Sequence, residues 1–185
     1  MLNALSLAPE HALAYFVLGL VQTNTNRSLQ GIAECERALA LDRNLARAHA
    51  GLGYAKYNLG RAEETEAHIN EAFRLSPRDT DAHVWLLVAG VAKFFAGRDE
   101  EAVVLFRRSI ETNRNLPTAH FCLAAALALF GRHNEARAAV QAGLALNPSF
   151  TVTRYRSGVS SDNPTYLTQR ERLCAGMRMA GVPEE

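Results

Sequence analysis

Lysine is nearly absent from this chain. Its 185 residues hold 18 arginines but only two lysines, and 19 acidic residues leave a net charge of +1. The arginines are spread along the chain with no basic tail or block. Nucleic-acid binding through phosphates needs clustered positive charge, so that class of function is excluded. Long apolar runs are missing too. The longest, Phe121 to Phe130, has ten residues, and a membrane span needs about twenty. No signal peptide is visible at the start. Three cysteines, Cys35, Cys122 and Cys174, stand far apart with no CxxC pairing. An odd, unframed set reads as reduced thiols in a cytoplasmic protein. β-branched residues are few, and the six prolines fall mostly at apparent unit boundaries. That argues against sheets and for an all-α protein.

What is abundant is recurrence. A turn residue returns as Asn26, Gly60, Gly97 and Gly131, at intervals of 34, 37 and 34 residues. Ahead of each turn stands a bulky residue or histidine, followed by an apolar-small pair: Tyr15-Leu18-Gly19, His49-Leu52-Gly53, Leu86-Ala89-Gly90 and His120-Leu123-Ala124. Behind each turn comes a small residue, then an apolar one four positions on: Gly31 and Cys35, Thr65 and Ile69, Ala102 and Phe106, Ala136 and Val140. Units close on Arg43, Pro77, Arg114 and Pro148. Self-similarity at this period marks stacked helical hairpins rather than one closed core. Glycine or asparagine at the turns suits a left-handed backbone. The acidic residues Glu63-Glu64, Asp99-Glu100-Glu101 and Glu135 are placed in the first turn of each second helix, where the dipole favours them. Three additional residues between Pro77 and Leu86 predict a longer loop, with Thr80 or Asp81 capping the next helix.

This pattern resembles the tetratricopeptide repeat, over residues 12 to 150. The resemblance implies a right-handed superhelical solenoid of antiparallel helix pairs. Its units are 12–45, 46–82 with the longer junction, 83–116 and 117–150, followed by C-terminal capping helices over 151–185. Residues 1–11 look like the end of a preceding repeat, so the chain is expected to begin inside a longer protein. In the last segment Pro164 suits a helix start, with Asp162 or Asn163 as cap. Tyr166, Leu167, Leu173, Met177 and Ala180 form one apolar face expected to cover the last repeat.

Chemistry is hard to find. Gly51-Leu52-Gly53 follows no strand and falls mid-helix, so it reads as packing rather than as a nucleotide loop. His49 and His120 are equivalent positions two repeats apart, too distant to share a metal. No cofactor, metal or catalytic group is expected, and the chain is read as no enzyme. In the resembled fold the first helix of each pair lines the concave side. Counting from each unit's leading residue puts Phe16, Leu20, Tyr54, Tyr57, Leu87, Val91, Phe94 and Phe121 on that strip. The strip reads as a partner-binding surface for an apolar or amphipathic helix, expected from a missing N-terminal part of the same protein, from another subunit or from this chain's own C-terminal segment. Glutamate at Tyr54 and Phe94 is expected to abolish capture without unfolding the array.

A narrower likeness lies in residues 70 to 185. Ser76-Pro77-Arg78-Asp79, the Trp85 helix, Gly97-Arg98-Asp99-Glu100-Glu101-Ala102 and the ending from Tyr166 to Glu184 are similar to the C-terminal repeat regions of bacterial class III adenylate/guanylate cyclases. That resemblance implies the regulatory part of a signalling protein, with any cyclase activity in a preceding domain. The alternatives are a regulatory module of a DNA-binding transcription factor, or a self-associating adaptor.

Overall fold

The computed structural model describes residues 11–185. The expected end of a preceding repeat therefore lies, apart from His11, outside the described residues. The described chain is helical, with no strand among those residues: α1 (Ala12–Asn24), α2 (Ser28–Leu41), α3 (Ala46–Asn58), a 3₁₀ turn (Ala62–Glu64), α4 (Thr65–Leu75), α5 (Ala82–Phe95), α6 (Asp99–Thr112), α7 (Pro117–Leu129), α8 (His133–Leu146), α9 (Val152–Ser157) and α10 (Pro164–Ala180). None is long and apolar enough to cross a membrane. The chain forms two compact units. The first holds the described residues up to Asp79 together with Ser160–Tyr166; the second holds Thr80–Val159 and Leu167–Glu185.

Each hairpin is made by the same local physics. Asn26, Gly60, Gly97 and Gly131 all take positive φ, from 61° to 78°. A left-handed residue there releases the helix and turns the chain back. Behind three of these turns the sequence Gly-Arg-x-x-Glu closes a clamp. Arg61 pairs with Glu64, Arg98 with Glu101 and Arg132 with Glu135. Lys56 and Lys93, the two lysines, reach the same carboxylates, Glu64 at 3.0 Å and Glu101 at 3.2 Å. The expected helix-start charges thus hold the turn together as well as meeting the dipole. Glu63 and Glu64 depart from expectation in one respect: they lie in the 3₁₀ turn, and α4 begins only at Thr65.

In the first unit, Phe16, Cys35, Ala38, Ala48 and Leu52 form the core where α1, α2 and α3 meet. The helices approach closely because glycines face one another. A Cβ on Gly31 would stand 2.8 Å from the Gly19 carbonyl oxygen, a distance no side chain tolerates. In the second unit, α5 is apolar nearly all round and is buried by Trp85, Leu86, Val88 and Phe94. Its partner α6 buries a single stripe, Ala102, Val103, Phe106 and Ser109, the spacing of an amphipathic surface helix. Small hydroxyls tie the second helix of a hairpin to the backbone of its first. Thr65 donates to the Gly53 carbonyl at 3.0 Å and Ser109 to the His83 carbonyl at 2.7 Å.

Asp81 occupies the N-cap position of α5, but its side chain makes no capping hydrogen bond there. Asn163 does cap α10, its Oδ1 accepting from the Tyr166 N–H at 3.1 Å. Two expectations for the C-terminal segment need correction. Leu167 is exposed, while Cys174 joins Tyr166, Leu173, Met177 and Ala180 in the buried face. Nor does α10 simply cap the last hairpin. That hairpin is met by Phe150, whose ring stacks on Phe121 at 3.7 Å, while Val152 is fully buried. Within the second unit α10 contacts the first helices of both hairpins, through Arg172 at Phe94 and Gly176 at Ala125.

Candidate functional site: the inner faces and the segment that fills them

In the first unit, the inner surface is formed by α1, α3 and the turns that follow them. Tyr54 and Tyr57 meet edge to face at 5.3 Å, and the Tyr54 hydroxyl donates to Asn24 Oδ1 at 2.6 Å. Asn58 is fully buried; its amide donates to the Tyr54 carbonyl at 2.8 Å. Onto this surface come residues more than a hundred positions later. The Ser160 hydroxyl donates to Asn58 Oδ1 at 2.5 Å, and the Asp162 N–H donates to Asn26 Oδ1 at 2.9 Å. Tyr166 places its ring 6.0 Å from that of Tyr57. Thr165 lies so close to Gly60 that a Cβ there would meet it at 2.6 Å. Gly60 therefore serves both its turn and this close approach.

In the second unit, the rest of α10 rests on α5 and α7. Arg172 donates to the Phe94 carbonyl and to both carboxylate oxygens of Asp99, at 2.9, 2.9 and 2.5 Å. Its guanidinium lies 4.3 Å from the centre of the Phe94 ring. Gly176 abuts α7, where a Cβ would stand 2.7 Å from the Ala125 carbonyl oxygen. Arg170 covers the Tyr155 ring at 4.0 Å and donates to the Tyr155 and Gly158 carbonyls.

The eight residues of the expected strip divide into two sets. Leu20, Tyr54, Tyr57 and Leu87 are half-buried. Phe16, Val91, Phe94 and Phe121 are buried. Phe16 lies in the core of the first unit, against Gly51 and Cys35. Phe121 packs on Gly143 and Phe150. These two fill the space between helices rather than facing a groove. Phe94 has no exposed surface. A glutamate there would replace a fully buried ring by a desolvated carboxylate, so the expectation that it spares the fold does not hold. Sequence counting missed Asn26, Asn58, Asp99 and Arg172. Asn26 reads as a turn residue, and nothing in the sequence singles out Asn58. Their role appears only once residues 160–166 lie beside them.

The titratable groups are arranged for structure. His49 and His120 repeat one role, each ring Nε2 meeting the carbonyl six residues earlier, Arg43 at 3.4 Å and Arg114 at 3.2 Å. Burial pushes the Cys35 and Cys122 thiols up to about 12, with Glu34 and Glu36 adding to the rise at Cys35. Such thiols carry almost no thiolate at neutral pH. Among the described residues no cluster of histidine, cysteine and carboxylate could hold a metal ion.

Antiparallel hairpins, positive-φ turns and a segment laid on the first helices define a tetratricopeptide-repeat fold. Residues 46–79 match the tetratricopeptide repeat family model. The peroxisomal targeting signal receptor of Kluyveromyces lactis is 27% identical over 208 residues, an alignment covering 94% of this chain and 37% of the receptor. The receptor of the same name from Saccharomyces cerevisiae is 28% identical, over 84% of this chain and 32% of its own length. The chain thus spans about a third of the curated relatives it matches. Among solved structures it is similar to YrrB, described as a TPR protein with an unusual peptide-binding site. The TM-score is 0.62 at 21% identity, covering 96% of this chain and 94% of that one. It is also similar to PilW, a type IV pilus biogenesis factor, with a TM-score of 0.73 at 18% identity over 91% and 79% of the two chains. At these identities the solved structures speak to the fold alone. Proteins with this fold are generally non-enzymatic scaffolds for protein–protein interaction.

Proposed function

We propose that this chain is a non-catalytic scaffold whose inner faces take a protein segment with an apolar or amphipathic helical face. One observation carries the reading: the chain's own residues 160–180 already lie there, irregular as far as Asn163 and helical from Pro164. Four residues of that helix, Leu173, Cys174, Met177 and Ala180, are essentially inaccessible to water. A surface that accommodates one amphipathic helix has the shape and chemistry to accept another, by the helix-in-groove mode. The curated relatives are receptors for a targeting signal, which fits the same class of ligand. The likeness of residues 70–185 to cyclase repeat regions supports a place in a signalling protein, with the catalytic chemistry outside this chain. A cyclase assay on the whole reading frame addresses that part.

The scaffold reading is tested by selecting displayed amphipathic peptides against the full chain. Bound peptides should protect Leu20, Tyr54, Tyr57 and Leu87 from hydrogen exchange nearby, and Tyr54→Glu should abolish their binding. Selected peptides that protect only α2 or α6, and ignore Tyr54→Glu, would overturn it.

A further inference from the structure

The hold on residues 160–166 is unlike the hold on the rest of α10. In the second unit α10 is fixed by apolar burial and the Arg172–Asp99 pair. In the first unit, Ser160–Tyr166 is read mainly by side-chain amides. Asn58 Oδ1 takes a hydroxyl hydrogen from Ser160, and Asn26 Oδ1 takes a backbone N–H two residues later. Asn163 then starts the helix, and three residues on, Tyr166 brings an aromatic ring to Tyr57. Asp162, Pro164 and Thr165 between these anchors are exposed, as are Arg156 to Val159 leading in. Among them Thr165 does bring its side chain to the first unit, against Gly60, and Ser161 beside Asp162 is buried, its hydroxyl accepting from the Asn163 N–H at 3.2 Å. Asn58 itself is fully buried.

We infer that Asn26, Tyr57, Asn58 and Gly60 form a recognition site for a partner protein's segment of the form Ser/Thr-Ser/Thr-x-Asn-x-Thr-aromatic, irregular and then helical, and that residues 160–166 are its resident occupant. This deepens the scaffold reading by naming the ligand and the site. A peptide bound through Asn26 would stand even if no selected helix docked at Tyr54, so the two can fail separately. The resident segment is tethered, so it competes at a high effective concentration. The site in the unaltered chain is therefore open only for a small fraction of the time, and apparent affinity falls by that fraction. Exchange requires only that 160–166 lift. Residues 167–180 keep their own contacts in the second unit.

The probe is a fluorescein-labelled peptide of residues 157–168, added to the full chain. Against a chain carrying Ser160→Ala and Tyr166→Ala it should bind at least about tenfold more tightly than to the unaltered chain, the shift expected when the resident no longer fills the site. Adding Asn26→Gly, which keeps the backbone conformation but removes the acceptor, should return binding to the unaltered level. Equal binding to the first two chains, with both folded by circular dichroism, overturns the inference. Dimers that grow with concentration and vanish with Asn26→Gly would place a second copy's segment in the site and overturn the partner assignment. Should the double variant unfold, hydrogen exchange on the unaltered chain decides. The Asp162 amide should exchange at least about a hundredfold faster than those of Leu173 to Met177, as local opening requires. Exchange at a common rate would mean that 160–166 opens only with the whole helix, and the inference fails.

Discussion

The ring of Phe150 lies 3.7 Å from that of Phe121 and within 9° of parallel. Phe121 is fully buried, and its far edge presses on Gly143. A residue that counting places on the concave strip is thus a packing element of the last hairpin. Phe121→Ala should cost about 3–5 kcal/mol of stability, the range for truncating a buried aromatic. A urea titration measures it. A loss below about 1 kcal/mol would mean that the stack contributes little and the region collapses to fill the space.

Arg172 holds α10 to the α5–α6 hairpin by two means, a forked pair with Asp99 at the start of α6 and a cation over Phe94 in α5. The arginine side chain is more than a third exposed, so solvent weakens the ion pair. Arg172→Ala should cost about 1 kcal/mol, below the range of about 1.5–3 kcal/mol for a charge-assisted hydrogen bond because solvent screens the pair. Arg172→Lys should not restore it, because an ammonium cannot fork across a carboxylate and stack on a ring together. Full rescue by lysine in thermal melts would reduce the contact to simple charge attraction.

Two glycines of the second unit should respond differently to alanine. At Gly90 a Cβ would meet the Phe106 ring at 2.6 Å, and Phe106 is fully buried with no room to yield. Gly90→Ala should cost about 1–3 kcal/mol through overpacking. Gly97, at φ 74°, has nothing within 4 Å of an added Cβ. Gly97→Ala should cost only the backbone term, about 1–2 kcal/mol, and Gly97→Asn less still. Unfolding midpoints for the three variants separate steric from conformational cost, and an asparagine no milder than alanine would count against the left-handed argument.

His68 predicts a pH dependence. Burial, then the nearby Lys56 charge, hold its pKa below the ordinary 6.5. Its unfolded form gains a proton first as pH falls. Stability is therefore whole above pH 6.5 and declines as pH drops from there toward the folded pKa, below which this contribution levels off. His68→Gln should flatten the decline between pH 7.5 and 5. The carboxyls of Glu64 and Glu101, lowered first by hydrogen bonds from Arg61 and Arg98, act in a separate window. Their contribution is present above about 4.5 and is lost as pH falls below it. An unchanged slope in the His68 variant would assign the mid-range dependence to another group.

Periodicity alone announced the helices, their hairpin pairing and the left-handed turns at Asn26, Gly60, Gly97 and Gly131. Those features depend on residues near one another along the chain, where a glycine or a run of apolar positions has a local consequence. The Gly-Arg-x-x-Glu clamp is local as well, since it spans five residues and recurs three times. Tertiary structure alone decided which strip residues face inward and which fill the core, as Phe16 and Phe121 illustrate. It also decided where 160–180 would lie. Nothing local in Asn58 or Asn26 foretells a bond to Ser160 or Asp162, residues more than a hundred positions away. Such contacts exist only after the hairpins have stacked, because a polar acceptor selects its donor by position in space, not by distance along the chain.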